Sequence, residues 1–302
     1  MVDVTYKSKI TKRTFQDRFI SGFNSMRYAV TEPLILRTAR ARYKSLYSNP
    51  DENAMVSVYV PTYNRGKILM ERAVPTVLEQ THKNLELVIV GDHCTDDTEL
   101  LISKIKDPRV RFYNIPKRGY RYPPTVENHW LAGPVVAANT GLSMIQGKWI
   151  ARIDDDDTWT PDHIEVLLRF AQQGSYEFVS AQYVEERHGV KRVDTGVKAL
   201  DPYYTRKKVP APDDCPRLGA TQTWIYRSYL RFIKYNINCW RKPWNRVNDI
   251  DLSLRIYKAG VRMGFLDKVV AYMIPRPGET TVGLEAYQLQ EKEKNNHYKF
   301  TD

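Results

Sequence analysis

Four consecutive aspartates, Asp154 to Asp157, stand directly after the apolar stretch Trp149-Ile-Ala-Arg-Ile153. Two carboxylates about 4 Å apart repel by roughly 4 kcal/mol at an effective dielectric near 20, so a bare run of four is unfavourable. A divalent cation relieves that repulsion. Aspartate is a hard oxygen ligand, and no Cys or His stands beside the run, which suits Mg²⁺ or Mn²⁺ shared with substrate phosphates. A calcium loop of the EF-hand type does not fit. Counted from Asp154, Trp159 occupies the sixth position, where the sharp turn needs glycine, although Glu165 falls at the twelfth.

Two further polar clusters end apolar runs in the same way. Pro61-Thr-Tyr-Asn-Arg65 follows residues 56–60, and Gly91-Asp-His93 follows residues 85–90. Short β-branched runs at 56–60, 85–90, 110–115, 149–153, 176–185 and 269–274 read as strands. Helical patterns separate several of them, at 67–80 (with Pro75 inside), 95–105, 137–146, 161–173 and 248–259. That alternation predicts an α/β fold with a mostly parallel sheet flanked by helices. Ligands of such sheets bind outside the carboxyl ends of the strands, so the tips after the first, second and fourth strands should face one pocket. Residues 187–217, rich in basic residues, proline and tyrosine, carry no clear period and are expected to be loops or short edge strands.

The chain has 302 residues, 42% hydrophobic and 27% charged, the make-up of a soluble globular protein rather than a disordered or collagenous one. Cys94, Cys215 and Cys239 cannot all pair and none lies in a C-x-x-C, which favours a reducing compartment and leaves no structural zinc site. No apolar run reaches the ~18 residues of a spanning helix. A cytoplasmic location is expected, with peripheral attachment to the inner face of the membrane as an option. The net charge of +11 is concentrated: residues 1–50 hold ten Lys or Arg against three acids. A nucleic-acid binder would spread basic residues over one face, so no nucleic-acid partner is expected. Within that segment Phe15, Phe19, Phe23, Met26 and Val30 form one helical stripe. Such stripes usually pack on a core, and with Arg18 and Arg27 beside it this one also suits an anionic membrane surface.

In order and spacing, four blocks carry a resemblance: Val58-Tyr-Val-Pro-Thr-Tyr-Asn-Arg65, Val88-Ile-Val-Gly-Asp-His-Cys-Thr-Asp-Asp-Thr98, Ile153-Asp-Asp-Asp-Asp-Thr-Trp159 and Asn248-Asp-Ile-Asp-Leu-Ser-Leu-Arg255. From Val56 to about Ala259 the chain resembles an inverting glycosyltransferase of family 2 with the GT-A fold, a Rossmann-like sheet. The resemblance implies three parts: a basic helical extension and linker at 1–54, the GT-A domain at 55–275, and a tail at 276–302. It also implies roles. Pro61, Thr62, Tyr63, Arg65, Asp92, Asp154 and Asp155 would hold a nucleotide-sugar donor, with Asp92 reading the base. A carboxylate there accepts an N–H from uracil and repels a group presenting only acceptors. Asp156 would bind Mn²⁺ or Mg²⁺ directly, with Asp154 near the ribose and metal waters, and Asp157 would serve the sugar or brace the loop. Asp249 would be the base that takes the acceptor's proton, while Asp251 is structural. The family usually has paired acids where Gly91-Asp92 and Asn248-Asp249 stand here.

Around these, Lys117, Arg118 and Arg121 are candidates to approach the diphosphate, and Arg276 to close over it. Trp224, Trp240 and Trp244 are candidates to stack on an acceptor sugar. His163 is not expected to be a ligand. The reading is transfer of a sugar, expected to be UDP-linked, to a glycan or lipid-linked acceptor. A sugar-1-phosphate nucleotidyltransferase shares the sheet and the metal but needs a Gly-rich triphosphate loop, and Arg65-Gly-Lys67 is all that stands there.

Overall fold

The computed structural model describes residues 13–197 and 216–292. Cys215, the lysines at 7, 9 and 12, and most of the stretch expected to be loops lie outside them. Among the described residues nine strands form one sheet: β1 (Val56–Thr62), β2 (Leu85–Gly91), β3 (Val110–Asn114), β4 (Trp149–Arg152), β5 (Thr158–Trp159), β6 (Phe178–Arg187), β7 (Val190–Asp194), β8 (Ile225–Arg227) and β9 (Met263–Met273). The order is β3-β2-β1-β4-β8-β6-β9-β5, with β7 paired to the outer part of β6. β1, β2, β3, β4, β6 and β9 run one way, and β8, β7 and β5 run against them.

β1 and β2 are buried at every residue, as strands covered on both faces must be. Alternation then sorts their side chains. Tyr59, Val88, Val90 and Ile150 point into one core with α5 (Val126–Ala132), α6 (Val135–Met144) and α8 (Asn248–Lys258). Val58, Leu87, Ile89 and Ala151 point into the other, with α3 (Ala73–Leu78) and α7 (His163–Gln173). Each fully buried aliphatic side chain contributes about 1.5–3 kcal/mol. The sheet therefore lies between two helical layers.

The chain leaves β1 towards β2 and β3, then returns across the sheet to β4 on the other side of β1. Connections thus depart in opposite directions from the tips of two adjacent strands, which opens a crevice between them. The Pro61–Arg65 loop and the aspartate run sit at that switch point.

Some expected elements came out differently. The helix at 67–80 breaks at Arg72 into α2 (Gly66–Glu71) and α3, and Pro75 falls in the first turn of α3, where its missing N–H leaves no bond unmade. The helix at 95–105 shortens to α4 (Thr98–Ile102). α5 and the β6–β7 hairpin had no sequence signal strong enough to be read.

The N-terminal helix, α1 (Phe15–Tyr43), starts at a capping box: Thr14 Oγ1 accepts from the N–H of Asp17 (3.1 Å), and Asp17 accepts from the N–H of Thr14 (3.0 Å). The expectation that its apolar stripe packs on the core is overturned. Ser21, Glu32, Leu36 and Ala39 face the body instead, while Phe15 is 84% exposed. Directed ion pairs decide the rotation. Arg255 Nη2 donates to Glu32 at 2.5 Å, Arg40 binds Glu177 through Nε and Nη2, and Asp17 pairs with Arg241.

Candidate active site

Pro61, Thr62, Tyr63, Arg65, Asp92, the four aspartates and Asp249 all line one cavity of about 630 Å³. Sequence spacing alone separates the first of these from the last by most of the fold; the parallel sheet brings them together at its carboxyl edge.

The four aspartates divide by alternation. The N–H of Asp157 donates to the carbonyl of Asp154 (3.2 Å), closing a turn. Asp154 and Asp156 keep side-chain exposures of 37% and 25%, whereas Asp155 and Asp157 are buried. Asp155 accepts from Thr62 Oγ1 (2.7 Å) and Arg65 Nη1 (3.0 Å), so Thr62 braces the acidic turn. Burial nonetheless pushes the Asp155 carboxyl up to about 6, against the opposing charge of Arg65. Asp157 is raised well above the ordinary carboxylate range by burial and by the three neighbouring acids. Arg72 ties the turn down from below. Its guanidinium donates to the carbonyls of Asp156 (2.7 Å), Ile274 (2.9 Å) and Pro275 (2.6 Å), joining the turn to the exit of β9.

At the tip of β2 Gly91 is required by space, since a Cβ there would lie 2.6 Å from Asn114 Oδ1. That oxygen accepts from the N–H of Cys94 (2.8 Å), and Asn114 Nδ2 donates to the Cys94 carbonyl (2.9 Å), so Asn114 shapes the turn. The next residue, Asp92, receives Arg121 Nη1 at 2.6 Å and Arg118 Nε at 3.2 Å. Arg118, expected to approach the diphosphate, is found on Asp92. It does not line the cavity; the buried Asp92 carboxylate draws it in, and it stacks over the Tyr63 ring at 4.3 Å. Arg121 is drawn in likewise, and Lys117 is exposed.

The cations beside the acidic turn are instead Arg65 and Arg276, whose Nη1 atoms lie 3.4 and 3.6 Å from Asp156 Oδ2. Both also meet Tyr287 of α9 (Leu284–Lys292): its hydroxyl accepts from Arg65 Nη2 (2.8 Å), and its ring lies 4.8 Å from the Arg276 guanidinium. The segment after β9 therefore forms one wall of the cavity.

Asp249, in the first turn of α8, also lines the cavity, and its Oδ1 accepts from the N–H of Ile250 (2.7 Å). Desolvation raises its carboxyl, while the positive charge of Arg152 opposes. Asp251 points away, held by Lys242 (2.6 Å) and Arg255 (3.2 Å), as expected of a structural acid. The amide of Asn248 donates to the Leu131 carbonyl (3.0 Å), which uses that residue for packing.

Arg152, His129 and Tyr287 escaped the sequence reading. Arg152 is 2% exposed and donates to Asp154 Oδ1 through Nη2 (2.8 Å) and Nε (3.1 Å). A lone charge inside an otherwise apolar strand was its available signal. His129 is buried, with Nδ1 3.0 Å from the Tyr122 hydroxyl, and burial with Arg118 nearby pushes it down to about 3. It is a neutral ring in the cavity wall. Nothing in its local sequence marked it.

The tryptophans part company. Trp224 lines the cavity but is 1% exposed, and its indole donates to the Gly219 carbonyl (2.8 Å). Trp240 is buried and does not line the cavity. Trp244, 43% exposed, lies outside the lining as well, while its neighbour Asn245 (φ 50°) belongs to it. His163 is buried, stacked on Trp159 at 3.8 Å, with Nδ1 2.9 Å from the Val270 carbonyl.

Among the described residues no three His, Cys, Asp or Glu side chains converge as a closed metal cage. Asp154 and Asp156, both open to the cavity, fit the other arrangement, in which one or two carboxylates and substrate phosphates share a hard cation. The buried, repelling pair behind them favours positive charge at that spot.

Known proteins resemble this chain. The family described as Glycosyl transferase family 2 matches residues 57–122 and 125–233, more than half of the chain. An Escherichia coli protein named UDP-Glc:alpha-D-GlcNAc-diphosphoundecaprenol beta-1,3-glucosyltransferase is 31% identical over 133 residues, 44% of this chain and 47% of that protein. The chain spans between 19% and 47% of the length of such curated relatives. In fold it resembles S. aureus TarS, solved with UDP-GlcNAc (TM-score 0.54, 19% identity, 75% of this chain, 60% of that one). It also resembles a Pyrobaculum calidifontis mannosyltransferase solved with GDP-Man and Mn²⁺ (TM-score 0.51, 18% identity, 83% and 69%).

Proposed function

Because the chain belongs to glycosyl transferase family 2 and is a glycosyltransferase, we propose that it moves a sugar from a nucleoside diphosphate, UDP in the first instance, to a hydroxyl of a lipid-linked or glycan acceptor with inversion. The observation that carries this reading is the placement of Asp249 on the wall of the cavity that holds Asp154 and Asp156. Groups for the donor and for the acceptor would then share one space.

The acceptor oxygen bonds to the anomeric carbon while the carbon–oxygen bond to the diphosphate breaks. The electron pair leaves with the diphosphate and the hydroxyl proton passes to Asp249. A bound Mn²⁺ or Mg²⁺, held by Asp156 and Asp154, would neutralise charge on the leaving diphosphate. Arg65 and Arg276 add fixed positive charge at the same place, and being pre-positioned they cost no reorganisation during the reaction. Asp92, reached beyond Tyr63, favours a base that presents an N–H, such as uracil. Its two arginines fix its orientation. A relative named for UDP-Glc and a diphosphoundecaprenol acceptor, and a neighbour solved with UDP-GlcNAc, support this donor and acceptor class. The neighbour solved with Mn²⁺ supports the metal.

Thermal stabilisation by a panel of nucleoside diphosphates, each with and without Mn²⁺, tests the reading. UDP with Mn²⁺ should give the largest shift. Equal shifts from every base, with or without metal, would remove it.

A further inference from the structure

The outward face of α1 is a built surface rather than a leftover. Phe15, Phe19, Phe23, Met26, Val30 and Leu34 are 84%, 63%, 51%, 64%, 58% and 62% exposed, and Phe15, Phe19 and Phe23 stack in sequence at 6.5 and 6.4 Å. At 100° per residue these six fall within one strip of the helix. The opposite face is fastened by two ion pairs, Asp17 to Arg241 and Glu32 to Arg255, and a third, Arg40 to Glu177, anchors the flank of the helix near its C-terminal end. Those pairs fix the strip outwards along about 43 Å of helix.

Charge identifies what covers it. Asp17 and Glu32, the only acids between residues 13 and 44, are both turned inward and paired, so no free carboxylate stands on the outer face. Arg18, Arg27, Arg37, Arg42 and Lys44 are exposed. A second copy would bring the same positive rim against this one, and bases that stack on aromatic rings would leave Met26, Val30 and Leu34 uncovered. Among the described residues no helix is long and apolar enough to cross a bilayer. We infer that α1 lies in the plane of an anionic lipid surface, phenylalanines among the acyl chains and arginines at the headgroups.

The consequence for the site is orientation. Arg255, which holds Glu32, belongs to α8, whose first turn carries Asp249. A membrane-seated α1 thus sets the angle of the wall that would receive the acceptor. That last step rests on the proposed function; the surface contact itself does not.

Sedimentation of the full chain with vesicles tests it and needs neither donor nor acceptor. Binding to phosphatidylglycerol-containing vesicles at low salt should exceed binding to pure phosphatidylcholine at least tenfold, since each basic residue near the surface adds roughly fivefold. Phe15→Ser with Phe19→Ser and Phe23→Ser should abolish binding while the circular dichroism melt is unchanged. Arg18→Gln with Arg27→Gln, which spares the strip, should weaken binding about tenfold or more and flatten its salt dependence. Failure to bind anionic vesicles, equal binding to neutral ones, or full binding by the phenylalanine variant overturns the inference. So does a concentration-dependent dimer, seen by sedimentation velocity, that the phenylalanine variant loses. Loss of nucleotide stabilisation with vesicle binding intact would instead count against the proposed function.

Discussion

Arg152 and Asp154, two residues apart, are joined at the end of β4 by two hydrogen bonds of 2.8 and 3.1 Å, with the arginine buried and the aspartate facing the cavity. The strand reverses side-chain direction at each step, so Arg152 and Asp154 share one face and Ile153 the other. Arg152 also lies 5.1 Å from the Tyr235 ring, which holds the pair from behind.

Removing Asp154 leaves a buried guanidinium without its partner. Asp154→Ala should lower the unfolding free energy by about 2 kcal/mol, below the ~3–5 kcal/mol of a fully buried pair because Asp154 is partly solvated. Asp156→Ala should cost less than about 1 kcal/mol. Urea unfolding at neutral pH compares them, and equal losses would refute the distinction.

Asp249→Asn keeps the size and the hydrogen-bonding oxygen of the side chain but cannot take a proton. The transfer rate should fall by about 10²–10⁴-fold with donor binding unchanged. Thermal stability should hold or rise, since desolvation disfavours the ionised form here. Near-normal turnover would remove Asp249 from the mechanism.

Asp156→Asn should separate metal from nucleotide. Stabilisation by UDP alone should survive, whereas the additional shift with Mn²⁺ should disappear, as should the effect of adding EDTA to the loaded protein. A full metal-dependent shift in the variant would place the cation elsewhere.

His163 links stability to pH. Burial pushes its folded value down to about 3, against about 6.5 when unfolded, so between those values the unfolded chain binds more protons. Its contribution is complete above pH 6.5 and is lost as pH falls through that window. From pH 7.5 to 5.5 it should account for about 1.4 kcal/mol of lost stability. His163→Gln should lower stability at pH 7.5, where Nδ1 meets the Val270 carbonyl, yet shrink the pH-dependent loss by that amount. An unchanged slope, by urea unfolding at both pH values, would mean the ring titrates normally.

Much of the site was legible because the relevant signals are local. Apolar runs that stop at Pro61, Gly91 and Ile153 mark strand ends, and strand ends of a parallel sheet share an edge, so the three polar tips could be joined before any coordinates. Asp249 came from the resemblance of its block. Residues recruited through space left no such mark. Tyr287 enters the cavity because the chain after β9 folds back beside the acidic turn, which no periodicity records; Arg276, a candidate from the sequence, arrives by the same route.

The sequence by itself determined the main strands, several of the helices and which acids gather at the sheet edge, because alternation and turn chemistry act over a few residues. Tertiary structure alone decided partners and direction. It drew Arg118 and Arg121 onto Asp92, set Arg65 and Arg276 beside Asp156, and turned the phenylalanines of α1 to solvent. The physical reason is common to all three: a carboxylate takes the guanidinium that the fold brings nearest to it in space. A helix with an apolar stripe on one side and Asp17 and Glu32 on the other is oriented by whichever face finds its complement.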